Sequence, residues 1–362
     1  MHNENDAAYQ PDWASPPGRT ILDIMSHRGI DSEELTTLLH MSAKNVRRLL
    51  HAEIPITSAI AHSLENALGV TYDFWMEREA VYQQDLQNKT SVENDWLALL
   101  PLKEMSDLGW IADSSENHRL ETCLAFFGVT NVRAIMRKEF EQRIRYRTSF
   151  AFESLPSAVS AWIRQGEVEA EKVDCDRLNL DGFVEELGEI RRLTRIKDPK
   201  IFLPKVKERC ARSGVVLVLL RAPTSCKQSG ATFVRRDGTP VILLSGRHLS
   251  DDHLWFTFFH EAAHILLHID EAPFLDEGSA DALGKAEDEA DQLAEDMIVP
   301  QSHRDTLQEL RSHGDVARFA TTIGISPGLI VGQMQNRGII PHNWLNKLKR
   351  RYRWSNGELV IR

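Results

Sequence analysis

The sequence of 362 residues contains only four cysteines, no long hydrophobic run and no excess of positive charge. The cysteines are scattered and form no CxxC pair: Cys123, Cys175, Cys210 and Cys226. This pattern argues against a disulfide framework or a zinc ribbon and indicates reduced thiols. The longest aliphatic run, residues 215–220, is far shorter than the roughly 20 residues that span a bilayer. Because the N-terminus also lacks the apolar core of a signal peptide, we expect a cytoplasmic protein without membrane contact.

The charge balance sets 43 Lys and Arg against 53 Asp and Glu, a formal net charge of -10. A protein that coats nucleic acid without specificity needs a broad positive field, so this class is excluded. A small basic surface on one domain remains compatible with the balance. At about 150 residues per domain, the length predicts two or three domains.

Short apolar stripes of helical period follow a flexible tail at residues 1–18 and predict an all-α domain at residues 19–88. Within it, SEELTTLLHMSAKNVRRLLHAE has the layout of a helix-turn-helix, with Ser42 opening the second helix. That helix presents polar and basic side chains that could contact DNA: Ser42, Ala43, Lys44, Asn45, Arg47 and Arg48. The alternative is a helical packing module whose exposed face is basic by chance.

Residues 89–198 predict a helical connector, with amphipathic stretches at 132–147 and 155–173 and a polar linker or exposed helix end at 83–94. The pattern changes at Gly214, where GVVLVLL and TPVILLS predict two buried strands. Two helices follow, at about 251–269 and 285–297, which gives an α+β domain at residues 199–345. A basic segment, 346–362, ends the chain.

The motif His260-Glu261-Ala262-Ala263-His264 predicts a metal site. On a helix, His260 and His264 lie one turn apart on one face, so both imidazoles can reach one ion. Glu261 stands beside them as a candidate general base. A helix with two surface histidines is the alternative, since the bare motif also arises by chance.

The third ligand is expected from the second helix. Glu289 heads a face that it shares with Leu293 and Met297, and a carboxylate on an apolar face is costly unless a metal or partner neutralises it. We expect Glu287 and Asp288 on solvated faces, whereas Asp291 could orient a histidine. His268 lies about 12 Å along the helix from His260, too far for a shared ion, and is predicted to be structural or to support a ligand.

HEAAHILLH, followed by EADQLAEDMIVP, resembles the ImmA/IrrE family of zinc metallopeptidases over residues 200–345. The resemblance implies a zincin-like domain with Zn2+ on His260, His264 and Glu289, and Glu261 as the general base. It also implies hydrolysis of a peptide bond in a protein partner. We expect the partner to align along a strand edge near residues 241–244.

Three short segments of the N-terminal domain, PGRTIL, IPIT and FW, resemble the HigA-like antitoxin branch of the Cro/cI-type fold. This resemblance implies a dimer that binds double-stranded operator DNA and a toxin or other protein partner. The whole chain thus resembles antitoxin-like regulators fused to an ImmA/IrrE domain. Two hypotheses follow: a regulator with an active zinc endopeptidase, or a catalytically silent regulator whose zinc domain only binds or senses a partner.

Overall fold

The computed structural model describes residues 15–135, 155–269 and 280–362. The chain divides into two compact units, Met1–Leu97 and Ala98–Arg362. Both are mainly helical, and the described strands all lie in the second unit, which confirms the expected multidomain layout with a small C-terminal sheet. Most of the predicted tail, residues 1–14, and most of the predicted stretch 132–147 lie outside the described residues.

The first unit is built from short helices with well-formed caps. Asp31, Ser42 and Thr57 each accept a main-chain N–H in the first turn of their helix, which satisfies donors that a helix leaves free. Its core includes Ile21, Leu35, Val46, Leu49 and Trp75. The helices are α1 (Pro17–Arg28), α2 (Ser32–Leu38), α3 (Ala43–Leu50), α4 (Ser58–Leu68) and α5 (Tyr72–Leu99).

Helix α5 runs without interruption through residues 83–94, the stretch that we predicted as a linker or a helix end. No glycine or proline occurs between Tyr72 and Leu99, so nothing in the backbone stops the helix. The division between the compact units falls near the end of α5, after Leu97, about two and a half helical turns beyond the proposed boundary at residue 88.

The second unit begins with helices that lie on both sides of its sheet. These are α6 (Leu102–Asp107), α7 (Arg119–Phe127), α8 (Pro156–Ala170), α9 (Leu180–Leu193) and α10 (Pro199–Arg212). Trp162 of α8 packs with Val216, Val218 and Leu243 on one side of the sheet, whereas α9 and α10 pack on the other. Leu217, Ile242 and Leu244 alternate with them and face the opposite layer, where the metal motif lies.

The sheet contains β1 (Val216–Leu219), β2 (Gly230–Val234) and β3 (Pro240–Leu244) in the order β1-β3-β2. Strand β3 pairs in parallel with β1 and antiparallel with β2. The expectation of an exposed edge at residues 241–244 is therefore wrong, because β3 is the central strand. The edge that lies beside the metal motif belongs to β2.

The remaining elements are α11 (Asp251–His268), α12 (Ala280–Ile298), α13 (His313–Ile323), α14 (Pro327–Asn336), β4 (Tyr352–Ser355) and β5 (Glu358–Ile361). The basic C-terminal segment is an integral part of this unit. Lys349 Nζ lies 2.5 Å from Asp252 Oδ2, and the Arg350 main chain donates to Asp251 Oδ1 at 2.9 Å. The segment thereby provides hydrogen-bond and ion-pair partners for the two buried acids that open α11.

Within the three described ranges, none of the helices combines the length and the apolar character that crossing a bilayer requires.

Candidate metal centre

The metal motif lies in the middle of α11, a helix held by its apolar residues. Trp255, Phe258 and Phe259 are buried in the main core of the second unit. Their burial fixes the rotation of α11 and leaves His260 and His264 together on the face turned towards α12. The predicted pairing of the two histidines on one helical face is therefore present in the fold.

Three donor atoms converge between α11 and α12. The Nε2 atoms of His260 and His264 are 3.1 Å apart. Glu287 places Oε2 at 3.3 Å from Nε2 of His260 and Oε1 at 3.3 Å from Nε2 of His264. All three residues can offer ligand atoms within 4.8 Å of one another, so this cluster could hold a metal ion.

The structure brings Glu287 into this cluster, where the sequence analysis had placed Glu289. The buried stripe of α12 is formed by Ala286, Ala290, Ala294 and Ile298, and Glu287 lies directly beside it. Two residues along a helix correspond to a rotation of about 200°, which directs Glu289 away from the histidine pair. The side chain of Glu289 is 47% exposed, against 26% for Glu287.

The surroundings of Glu289 are those of a peripheral carboxylate. Its oxygens lie 3.7 Å from Lys285 Nζ and 3.9 Å from Nε2 of His268. His268 is itself buried one turn beyond His264, with ring centroids 5.7 Å apart. It stays outside the three-residue cluster, which agrees with the axial distance that argued against a shared ion.

Asp291 confirms the expectation that it orients a histidine. Its Oδ1 lies 2.7 Å from Nδ1 of His260, so the imidazole presents Nε2 to the cluster. Glu287 and Asp291 are separated by four residues and therefore share a face of α12. This spacing was the sequence signal that could have identified Glu287: if Asp291 contacts a histidine, so can the carboxylate one turn before it.

The charges of the cluster depend on one another. Burial opposes a charge on His260, but hydrogen bonds with Asp291 and Glu287 outweigh it and raise its pKa to about 10. Burial alone would raise the pKa of Glu287. Its hydrogen bonds with the two histidines outweigh this effect and lower the pKa to about 2. The cluster thus pairs an ionised Glu287 with a protonated His260, and a metal ion that binds Nε2 of His260 would take the place of that proton.

Glu261 is buried on the side of α11 that faces β2. Burial raises its pKa above the ordinary value, although His260, His264 and Thr232 all favour its ionised form. Thr232 donates to Glu261 Oε2 at 2.7 Å. A buried carboxylate beside a metal cluster, with a raised affinity for protons, is suited to transfer a proton.

The candidate DNA contacts lie in the first unit, at the start and along the outer face of α3. Val46 and Leu49 point into the core, as the helix-turn-helix pattern requires. Ser42, Ala43, Lys44, Asn45 and Arg47 are exposed. Arg48 is half-buried, and its Nε lies 3.5 Å from Glu53 Oε2. The structure places these residues together on one surface; their contact with DNA stays a prediction.

Residues 210–331 match the family of peptidases described as the IrrE N-terminal-like domain, and this region therefore carries that domain. The match contains all three strands of the sheet, α11 and α12, and so includes the whole cluster. It indicates a metallopeptidase-like region in the second unit. The chain is similar to no curated protein and to no solved structure.

Proposed function

We propose that the second unit is a zinc-dependent endopeptidase that hydrolyses a peptide bond in a protein partner. The observation that carries the proposal is the convergence of His260, His264 and Glu287 beside the buried carboxylate of Glu261. The family match over residues 210–331 supports the same reaction class.

The donor set fits zinc in both chemistry and size. Two imidazoles and one carboxylate are the ligands of a zincin, which leaves a position for water or substrate. Ligands at 2.0–2.1 Å from a tetrahedral ion are themselves about 3.3 Å apart. The three separations in the cluster are 3.1, 3.3 and 3.3 Å, so the side chains need little movement to take up the ion.

When bound, zinc would supply Lewis acidity towards a peptide carbonyl and acidify a water molecule. Glu261 would take the proton from that water as it attacks, and would then deliver the proton to the leaving amine. Burial supports the second half of this task, because it raises the pKa of Glu261 and favours the protonated form. Asp291 would hold His260 in the tautomer that keeps Nε2 free for the metal.

The partner's scissile segment would lie along β2. Among the described residues, no strand pairs with the outer edge of β2. An extended peptide can add to such an edge through main-chain hydrogen bonds. Thr232 of β2 contacts Glu261, so a peptide on this edge would pass next to the general base.

The test combines metal analysis with an isosteric variant of the base. We expect one zinc per chain in the wild type and in E261Q, and new N-termini in a peptide library treated with the wild type but not in one treated with E261Q. D288N, which alters an exposed carboxylate of α12, is the matched control and should cleave like the wild type. Cleavage by E261Q at the wild-type rate, or a folded chain that binds no zinc, would contradict the proposal.

The alternative is a catalytically silent domain that binds or senses a protein partner. Stoichiometric zinc would favour this alternative if no new N-terminus appears in the library or in the products of the neighbouring genes.

We further propose that the first unit binds double-stranded operator DNA as a homodimer, as an antitoxin-like transcription regulator does. The support is the exposed cluster on α3, where Lys44, Asn45 and Arg47 stand over a buried apolar face. Arg and Asn can contact base edges, and Lys neutralises phosphates.

Fluorescence anisotropy with DNA from upstream of the chain's own gene tests this second proposal. Replacing Arg47 and Arg48 by Ala should weaken binding by about 10-fold or more, since each lost base contact costs about 1–3 kcal/mol. K89A, on the exposed surface of α5, is the control. Binding that survives the double replacement would refute the assignment of α3 as the recognition helix.

A further inference from the structure

We propose that strand β2 positions the carboxylate of the general base: Thr232 holds one oxygen of Glu261, and Gly230 leaves space for the other. The inference rests on the proposed peptidase function and adds two residues to it. Neither residue belongs to the helix that carries the metal motif, and neither is a ligand or a proton carrier.

The first observation is the hydrogen bond of Thr232. Its Oγ1 lies 2.7 Å from Glu261 Oε2 and 3.2 Å from the main-chain oxygen of the same residue. A hydroxyl has one proton, and a carboxylate is the stronger acceptor of the two. Because Glu261 is almost completely buried, this donor offsets part of the cost of removing its charge from water.

The same hydroxyl suits the carboxyl group after it has taken a proton. A threonine oxygen can accept the hydrogen bond of a carboxylic acid while its own proton turns to another acceptor. The main-chain oxygen of Glu261 is that second acceptor, at 3.2 Å. Thr232 can therefore hold the side chain in one place both before and after proton transfer, which valine cannot do and serine can.

The second observation is the absence of a side chain at residue 230. A Cβ at Gly230 would lie 2.4 Å from Glu261 Oε1 and 2.6 Å from Thr257 Cγ2. It would also lie 2.8 Å from Cγ of Glu261, so the clash involves the stem of the side chain and not only its tip. Residue 230 is paired with Leu244 of β3, which limits how far the strand can retreat. Alanine here would displace the base.

A positioning role differs from a substrate contact in its kinetic effect. A peptide on the edge of β2 would form hydrogen bonds with the main chain. A substitution of the Thr232 side chain leaves these main-chain groups unchanged. Loss of a group that only orients the base lowers kcat, whereas loss of a substrate contact raises KM. The misplacement of a reacting group by about 1 Å can cost on the order of 100-fold.

The experiment compares zinc-loaded, full-length T232V, T232S and G230A on a peptide that the wild type cleaves. We expect T232V and G230A to lose about 10-fold to 100-fold in kcat, with unchanged zinc content and a KM within about twofold. T232S should recover most of kcat. G188A is the matched glycine control, because Gly188 is exposed on α9 and has no atom within 4 Å of an added Cβ.

Wild-type kcat in T232V, or a change in KM alone, would overturn the inference. Crystal structures of zinc-loaded wild type and T232V provide a readout that does not require turnover. We expect the carboxylate of Glu261 to shift or to occupy more than one rotamer in T232V, and an unchanged carboxylate would also overturn the inference. A wild type that binds zinc and cleaves nothing contradicts the peptidase proposal, and the crystal structures then still decide whether β2 positions Glu261.

Discussion

Asp291 Oδ1 lies 2.7 Å from Nδ1 of His260, and this hydrogen bond joins α12 to the face of α11 that carries the metal motif. The carboxylate fixes the ring so that Nε2 points to His264 and Glu287. One residue of α12 thus orients a candidate ligand, and another residue of the same face, one turn earlier, is itself a candidate ligand.

We expect D291A to weaken zinc binding by about 10-fold to 100-fold, because a carboxylate that orients a histidine ligand contributes that much to metal affinity. Competition with a chromophoric chelator measures the change. D291N, which keeps an acceptor oxygen, should fall between D291A and the wild type. Equal affinities of D291A and the wild type would show that the hydrogen bond is irrelevant to the metal.

Two carboxylates of α12 should respond differently to removal. E287A takes away one of three ligand groups, so we expect a loss of zinc affinity larger than the 10-fold to 100-fold that a supporting residue gives. E289A should bind zinc like the wild type, since its carboxylate faces Lys285 and His268 instead of the cluster. Zinc content after dialysis against a weak chelator separates the two variants. The reverse result would assign the third ligand to Glu289, as the sequence alone suggested.

Asp251 predicts a pH dependence of stability. Burial raises its pKa to about 6, although bonds from Ser326 and Arg350 favour the charged form. The folded state therefore binds the proton more tightly than the unfolded state, whose pKa is near 3.8, so this contribution to stability is present below about pH 4 and lost as the pH rises through 6.

The measurement is the free energy of unfolding of the wild type and D251N at pH 4.5 and pH 7. Relative to D251N, the wild type should lose on the order of 2 kcal/mol between these values, because one pKa unit corresponds to about 1.4 kcal/mol. Groups other than Asp251 titrate in both proteins and cancel in the difference. A difference that is constant or grows with pH would contradict the raised pKa.

Arg191 should be a major contributor to the stability of the second unit. Its guanidinium donates to the carbonyl of Ile298 at 2.9 and 3.1 Å and to that of Ile323 at 2.7 Å, the last residues of α12 and α13. R191M should cost about 3 kcal/mol, since it removes charged hydrogen bonds and leaves carbonyls without donors. R192M, in an exposed pair with Glu189, should stay within about 0.5 kcal/mol of the wild type in chemical unfolding.

The sequence predicted those parts of the site that depend on one helix. His260, Glu261 and His264 follow from helical period, just as the helix start at Ser42 follows from local chemistry. The choice between Glu287 and Glu289 depends on how α12 is rotated against α11. A row of alanines decides that rotation, and their burial is only evident once the two helices are packed.

Local sequence patterns could not predict the strand order either. Residues 241–244 form a hydrophobic run that is typical of any buried strand, and nothing in it tells whether a neighbour lies on one side or on both. Strand β3 is central because it pairs with β1 on one side and with β2 on the other. For the same reason the roles of Thr232 and Gly230 were invisible: they depend on a contact between two segments about 30 residues apart in the chain.

The C-terminal segment shows that the family match and the compact unit end at different residues. The family match stops at residue 331, yet Lys349 and Arg350 supply the cations that face the acids at the start of α11. We expect a protein ended at residue 331 to be less stable, because it would bury Asp251 and Asp252 without those partners. The region that matches the family is therefore shorter than the unit that packs together. A peptidase-like domain moved into another protein needs the residues after 331 as well.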